Sequence, residues 1–76
     1  MEIKDFIQNF VEALELDETV VIDETTNFRE LEEWDSLAAL STISFIDDEY
    51  NVTITNKDLK SVNTIGELFA IVNTNK

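Results

Sequence analysis

The sequence predicts an all-α protein: a four-helix bundle of three main helices and one short helix, with a long loop after the first helix. Apolar residues recur at the spacing of an amphipathic helix in separate segments of the 76-residue chain. Two threonines are each followed three residues later by an acid, which is the spacing of a helix-capping box. The sequence has no internal repeat and no proline, so we expect one domain over residues 1–76.

The first helix is predicted over about residues 2–15. Its apolar side chains follow a helical spacing that places them on one face, whereas acidic and amide side chains occupy the other faces. The apolar face consists of Ile3, Phe6, Ile7, Phe10, Val11 and Leu14. We expect this face to bury against the rest of the bundle.

A long connection is predicted from Leu16 to Asp35, where the helical period is lost. The Asp, Asn and Thr side chains in this segment can bond to their own backbone and favour turns. Loops beyond about 12–15 residues are uncommon in compact domains, so this one should either carry function or be held by apolar anchors. The candidate anchors are Val20, Val21, Ile22, Phe28, Leu31 and Trp34.

The second helix is predicted to begin at Ser36 and to end near Tyr50. Asp35 fits the N-cap position, where a carboxylate accepts a backbone N–H from the first turn. We expect one apolar side of this helix to face the core, formed by Leu37, Leu40, Ile43, Ile46 and Tyr50. Ala39 and Phe45 widen that side, which indicates that other helices flank it on two sides.

Two further helices are predicted from the capping boxes. The two threonine–acid pairs are Thr55 with Asp58 and Thr64 with Glu67. The first pair predicts a short third helix over about residues 56–61. The second pair precedes another helical apolar stripe and predicts a last helix over about residues 65–73, which Gly66 weakens slightly.

An alternative interpretation pairs the β-rich segments 20–22 and 52–54 as two short strands. Two strands of about three residues would be marginally stable by themselves. The all-helical fold is therefore the favoured prediction.

The chain is strongly acidic, with 17 acidic and 5 basic side chains and a formal net charge of −12. Such a charge repels phosphate backbones and anionic lipid, so the expected partners are proteins with basic surfaces and not nucleic acid or a membrane face. No apolar stretch approaches the length of a membrane span, and the N-terminus lacks the pattern of a secretion signal. We therefore expect a soluble, cytoplasmic monomer.

The residue types also limit the chemistry. With no cysteine and no histidine, the chain lacks thiolate ligands, the commonest zinc ligand and the commonest general base. A calcium loop of the EF-hand type needs a glycine at its sixth position, and the one glycine, Gly66, does not lie in such a loop. No hydroxyl has a base arranged to activate it. We therefore predict neither a metal site nor a catalytic residue.

One motif carries a more specific functional signal. Asp35-Ser36-Leu37 follows the long loop and opens the second helix of a strongly acidic chain. The sequence resembles the acyl carrier proteins and the related peptidyl carrier domains, whose signature Asp-Ser-Leu bears 4′-phosphopantetheine on the serine. The resemblance covers nearly the whole chain, from the first amphipathic helix to the threonine-capped last helix at Thr64. Three residues alone are a weak match, but length, charge, spacing and position all agree with it.

The resemblance implies an acyl-carrier-protein-like fold and a carrier function. Ser36 would be the attachment residue for the 4′-phosphopantetheine arm, which a phosphopantetheinyl transferase takes from coenzyme A, and Asp35 and Leu37 would adjoin it. An acyl or aminoacyl group would be held on the arm as a thioester, and the protein itself would not be an enzyme. Independently of the resemblance, the positive end of the helix dipole favours a phosphodiester at Ser36.

The resemblance also implies transient docking to the enzymes that load and process the cargo. Their basic surfaces would contact acidic and aromatic side chains near both ends of the second helix. Leu37 would be either an exposed apolar contact for these enzymes or an ordinary core residue. The predicted docking residues are Glu30, Glu32, Glu33, Trp34, Asp47, Asp48 and Glu49.

Two features depart from the fatty-acid carriers of this family. Ala38 and Ser41 stand where those proteins usually carry acids soon after the serine, and Glu33 and Trp34 replace small residues before the aspartate. These changes favour a carrier dedicated to one pathway, such as polyketide, nonribosomal-peptide or surface-polysaccharide modification, with a divergent fatty-acid carrier as the other interpretation.

The competing hypothesis from another class is an unmodified acidic interaction module. In that protein Ser36 would only start a helix, and the acidic surface would serve binding alone. A hydrolytic enzyme is the third and weakest hypothesis, because the chain offers no activated nucleophile.

Overall fold

The computed structural model describes residues 2–17 and 19–75. Within these residues the chain forms α1 (Ile3–Ala13), a 3-10 helix (Phe28–Glu30), α2 (Ser36–Tyr50), α3 (Asn56–Lys60) and α4 (Ile65–Asn75). Helix α1 contacts α2 and α4, and α3 packs on α2. The prediction of an all-α bundle with three longer helices and one short helix is confirmed. None of the described helices combines the length and apolar content needed to cross a bilayer.

The alternative of two short strands is wrong for the described residues. Segments 20–22 and 52–54 form no strand, and an isolated antiparallel bridge joins Asn27 to Thr64 instead. Val52 and Ile54 are almost fully buried. Their β-branched side chains therefore serve as core residues on the link between α2 and α3.

Helix α1 ends at Ala13, two residues earlier than predicted. Glu15 adopts a left-handed conformation with φ of 53° and donates its N–H to the Glu12 carbonyl over 3.2 Å, while the Leu16 N–H reaches the Val11 carbonyl at 3.0 Å. This pair of hydrogen bonds is a Schellman motif, which ends a helix and satisfies its last carbonyls. The motif usually has glycine at the left-handed position, so a glutamate there gave no sequence signal.

The core face of α2 differs from the predicted one. Ile46 and Phe45 are buried as predicted, but Leu37 and Leu40 are 73% and 58% exposed, and Ala38 and Thr42 are buried in their place. Thr42 can be buried because its hydroxyl donates a hydrogen bond of 2.8 Å to the Ala38 carbonyl. The prediction that Leu37 and Leu40 face the core is therefore wrong, because a self-satisfied threonine occupies the interior face in their place.

Both predicted capping boxes are present. The Thr55 hydroxyl accepts the Asp58 N–H at 3.2 Å, and the Asp58 carboxylate accepts the Thr55 N–H at 3.1 Å. Thr64 and Glu67 make the same reciprocal pair at 3.2 and 3.0 Å. Hydrogen bonds from the backbone N–H groups of Asn63 and Thr64 also hold the pKa of the Glu67 carboxyl below its usual range. Helix α3 ends one residue before its predicted end, and α4 ends two residues after it.

Aromatic rings make up a large part of the core and join α1 to the loop, to α2 and to α4. Phe6 lies 5.6 Å from Phe45 and 5.4 Å from Phe69 between ring centroids. Phe10 lies 6.2 Å from Phe28, which belongs to the first loop. Because α1 supplies the two central rings, the apolar face predicted for this helix holds the bundle together.

The first loop is held by apolar anchors, which is one of the two outcomes expected from its length. Phe28 is fully buried, and three of the other predicted anchors, Ile22, Leu31 and Trp34, pack against the core. Val21 is 83% exposed, so its prediction as an anchor is wrong. Leu16, which the periodicity left unassigned, is buried just after α1. Thus some apolar residues of this loop are buried, as their hydrophobicity predicts, and at least one is exposed.

The loop also bonds to the start of α4. The Ile65 N–H donates to the Thr26 carbonyl at 3.1 Å, and the Gly66 N–H donates to the Glu24 carbonyl at 2.8 Å. These are two of the first N–H groups of a helix, which have no partner inside it. A Cβ atom at Gly66 would lie 3.0 Å from the Glu24 carbonyl oxygen. Gly66 therefore allows the loop backbone to approach α4 closely.

We expect Gly66→Ala to lower the free energy of unfolding by about 1 kcal/mol, because crowding the Glu24 carbonyl outweighs the gain in helix propensity. The exposed Asn73 of the same helix is the matched control: Asn73→Ala should raise stability by about 0.5 kcal/mol. Urea unfolding followed by circular dichroism measures both. A Gly66→Ala protein more stable than the wild type would contradict the close approach.

Candidate functional site

Asp35 caps α2 as predicted. Its backbone is extended, with φ of −151° and ψ of −170°, and its side-chain Oδ1 accepts the Ala38 N–H at 2.8 Å. Its own carbonyl accepts the Ala39 N–H at 3.0 Å. These two bonds fix the point at which the loop becomes a helix and make Ser36 the first helical residue.

The Ser36 side chain is exposed at this first position. Its hydroxyl makes no hydrogen bond to any residue that the structure describes. Asp35, and not Ser36, therefore performs the capping that serine commonly performs at a helix start. The hydroxyl is available for chemistry, and it lies at the end of α2 where unpaired N–H groups and the helix dipole favour a negative charge.

Trp34 anchors the loop two residues before Ser36. Its ring stacks on Phe10, with 6.4 Å between centroids and 16° between planes, and meets Phe28 edge-on at 4.7 Å. The backbone N–H of Trp34 also donates to the Leu31 carbonyl at 3.0 Å. The indole is half-buried, so it packs the loop against the bundle and still presents part of its surface next to the site.

A groove of about 530 Å³ opens beside Ser36, between the start of α2 and α3. Trp34, Ala39, Leu40 and Leu59 supply apolar surface to it. Its polar and charged lining residues are Arg29, Asp35, Ser36, Asn56 and Lys60. The groove therefore combines apolar and polar walls and carries two cationic side chains and one carboxylate.

Arg29 builds one wall of this groove. Its Nε donates to the Val62 carbonyl and its Nη2 to the Leu59 carbonyl, both at 2.8 Å. The guanidinium therefore joins the 3-10 helix of the loop to the end of α3, where helix carbonyls need partners. Sequence reasoning missed Arg29 and Lys60 as site residues. The only signal was that the chain contains a single arginine.

The predicted docking residues lie in two places around α2. Glu30, Glu32 and Glu33 precede the helix, and Asp47, Asp48 and Glu49 belong to its last turn. All six acids are exposed, whereas Trp34 is half-buried in the packing described above. A helix of 15 residues is about 22 Å long, so the two acidic groups are separated by most of the length of α2.

Between these acids, α2 presents a neutral apolar surface. Leu37 and Leu40 are the exposed large apolar side chains of this helix. Of the two roles left open for Leu37, the exposed one is observed. Leu40 also lines the groove beside Ser36. The start of α2 therefore combines a free hydroxyl, a groove and two exposed leucines.

The sequence matches the family described as "phosphopantetheine attachment site" over residues 4–72. The chain belongs to this phosphopantetheine-attachment family. In fold it is similar to a holo acyl carrier protein from Geobacter metallireducens solved by solution NMR, with a TM-score of 0.79 and 19% sequence identity. That similarity covers 96% of this chain and 83% of the other. No curated protein sequence matches the chain.

Membership of the phosphopantetheine-attachment family fits the geometry at Ser36. A phosphopantetheine group needs an accessible hydroxyl and a surface able to accept a phosphodiester, and the start of α2 provides both. The groove adds apolar walls and cationic side chains next to the hydroxyl. The residues present therefore suit the group that defines the family.

Two substitutions test whether Asp35 or Ser36 stabilises the start of α2. Asp35→Ala should lower the free energy of unfolding by about 1 kcal/mol, because the Ala38 N–H loses its acceptor. Ser36→Ala should change it by less than about 0.5 kcal/mol, because the hydroxyl bonds to nothing in the described structure. Urea unfolding of both variants gives the comparison. A Ser36→Ala protein as unstable as Asp35→Ala would mean that Ser36 has a structural role.

Proposed function

We propose that this protein is a carrier that holds an acyl or aminoacyl group as a thioester on a 4′-phosphopantetheine arm attached to Ser36. The observation that carries the proposal is the exposed Ser36 hydroxyl at the first position of α2, free of any structural bond in the described residues. It supports the serine of Asp35-Ser36-Leu37 as the attachment residue within the family match.

The roles of the surrounding residues follow from the local geometry. Asp35 holds the start of the helix through the Ala38 N–H, so that Ser36 stays at the surface. The N–H groups of the first turn favour the negative phosphodiester by about 0.3–1 kcal/mol at an exposed site. The arm supplies the thiol that this cysteine-free chain lacks. In this proposal the protein catalyses no reaction, and a phosphopantetheinyl transferase attaches the arm from coenzyme A.

Partner enzymes are proposed to dock along α2. The two acidic groups would attract basic surfaces and speed the encounter, while Leu37 and Leu40 would supply apolar contact between them. The neutral Ser41 favours a carrier dedicated to one pathway over a general fatty-acid carrier, whereas Ala38 is buried and offers no surface for docking. Contact of this kind is fast and transient, which suits a protein that visits several enzymes in turn.

The attachment is tested by intact mass spectrometry after incubation with coenzyme A, magnesium and a broad-specificity phosphopantetheinyl transferase. The wild type should gain the mass of one arm, and Ser36→Ala should gain none because it has no attachment oxygen. Ser44→Ala is the matched control, since Ser44 is an exposed serine of the same helix. This control should load like the wild type.

Two outcomes would contradict the proposal. Loading of Ser36→Ala would place the attachment elsewhere. Absence of loading by several transferases, in a folded sample shown by mass to carry no arm beforehand, would remove the mechanism. That second result would favour the acidic interaction module, whose binding does not depend on Ser36.

The docking residues are tested by neutralising the acids of the last turn of α2. The triple variant Asp47→Asn, Asp48→Asn, Glu49→Gln should raise the KM of the transferase for the unmodified protein and leave kcat nearly unchanged, because long-range attraction acts on the encounter. The KM of the variant should also depend less on salt. The control neutralises three exposed acids outside the predicted docking residues, Glu15→Gln, Asp17→Asn and Glu24→Gln, so that both proteins lose the same charge; it should leave KM nearly unchanged. An equal rise in both proteins would indicate only an effect of net charge.

A further inference from the structure

Two of the 5 positive charges of this chain lie on α3. Lys57 and Lys60 are three positions apart in this helix, a spacing that makes side chains neighbours on a helix surface. Lys60 lines the same groove as Ser36. An enzyme surface that covers the Ser36 oxygen therefore also reaches α3. On a chain with 17 acidic side chains, this pair of cations is a distinct feature beside the candidate site.

Neither lysine side chain has a partner in the fold. Both are exposed, and neither forms an ion pair or a hydrogen bond within residues 2–17 and 19–75. Asp58, the acid that lies between them in the sequence, has another partner, because its carboxylate accepts the Thr55 N–H at 3.1 Å. The two positive charges are therefore open to the acidic groups of another protein.

The acids around α2 do not by themselves define a direction of docking. Three of the predicted docking acids precede the helix and three belong to its last turn: Glu30, Glu32, Glu33, Asp47, Asp48 and Glu49. A fourth acid at the start, Asp35, shares its groove with the cation of Arg29. A basic strip on an enzyme is thus attracted about equally to both ends of α2. Only one of the two directions places Ser36 at the active site of that enzyme.

We infer that Lys57 and Lys60 contact an acidic surface of the enzyme that attaches the arm, and that this contact sets the direction in which the enzyme docks along α2. The inference rests on the proposed attachment at Ser36. Charge complementarity identifies the partner, which carries a basic strip for the acids of α2 and carboxylates beside that strip for α3. In the reverse direction the same carboxylates would lie near the acids of the last turn of α2 and would be repelled.

The inference is tested by the kcat/KM of a phosphopantetheinyl transferase for the unmodified protein. The test variants are Lys57→Glu and Lys60→Glu. The matched control is Lys4→Glu, since Lys4 is an exposed lysine of α1 and its substitution changes the net charge equally. Urea unfolding followed by circular dichroism shows that each variant is folded, and each α3 variant tests the inference independently of the other.

Net charge and direct contact predict opposite signs in this experiment. A more acidic protein attracts a basic enzyme more strongly, so net charge alone would raise kcat/KM in all three variants. The inference predicts a fall of roughly tenfold in kcat/KM for each α3 variant, because a carboxylate then faces a carboxylate. Lys4→Glu should keep the wild-type value or exceed it. Added salt should reduce the loss in the α3 variants.

Zero-length cross-linking identifies the contact directly. A water-soluble carbodiimide forms an amide between a lysine amine and a carboxylate without inserting a spacer, so it joins groups that touch. The reaction uses the transferase and the unmodified wild type without coenzyme A, so that no arm is transferred. Peptide mass spectrometry should find Lys57 or Lys60 joined to transferase carboxylates, and it should not find Lys4 joined to them.

Two results would overturn the inference while the proposed attachment stands. The first is loading of both α3 variants at Ser36 with a kcat/KM equal to or above that of Lys4→Glu. The second is cross-linking of transferase carboxylates to Lys4 in place of Lys57 and Lys60. If no transferase loads the wild type, the proposed function fails, and the inference about its partner fails with it.

Discussion

The position of the candidate site depends on the hydrogen bonds between the first loop and the start of α4. A loop of this length costs conformational entropy, and its polar backbone needs partners. The Thr26 and Glu24 carbonyls obtain them from the N–H groups of Ile65 and Gly66, which no helix can satisfy internally. The unpaired carbonyls of the loop and the unpaired N–H groups of α4 thus satisfy each other. Because the loop is tied down at this point, the residues that follow it reach α2 in a defined arrangement.

The anchoring continues from there to the site in short steps. Phe28 enters the core, Arg29 bonds to the carbonyls at the end of α3, and Trp34 stacks against Phe10. Asp35 then caps α2, so Ser36 is the first residue after the last anchor. A carrier requires this combination, since its attachment residue must be exposed while the surface that partners recognise stays rigid. In the proposed function the arm would supply the mobility, and the anchored loop would hold its attachment point in a fixed position.

Most of what the sequence predicted correctly depends on contacts between residues no more than four positions apart. The N-cap at Asp35 and the capping box at Thr55 are of this kind. Arg29 contacts carbonyls 30 and 33 residues away, and no local pattern indicates such a partner. Leu37 and Leu40 were mispredicted as core residues of α2 for a related reason. Apolar residues occupy more than one face of that helix, and burial of Thr42 depends on a hydrogen bond that periodicity does not register.

In the proposed function, docking of partners accounts for the two exposed leucines of α2. Leu37 and Leu40 keep 73% and 58% of their surface in solvent, so they contribute little apolar burial to the bundle. They lie within about 6 Å of Ser36 along the helix axis. An enzyme that acts on the Ser36 oxygen itself must contact the protein surface directly, because no arm yet extends from that oxygen to the enzyme. A standard interface buries about 800 Å² on each partner, a patch roughly 30 Å across. Any such interface centred on Ser36 would cover both leucines. Docking would therefore bury the apolar surface that they expose in the unbound protein.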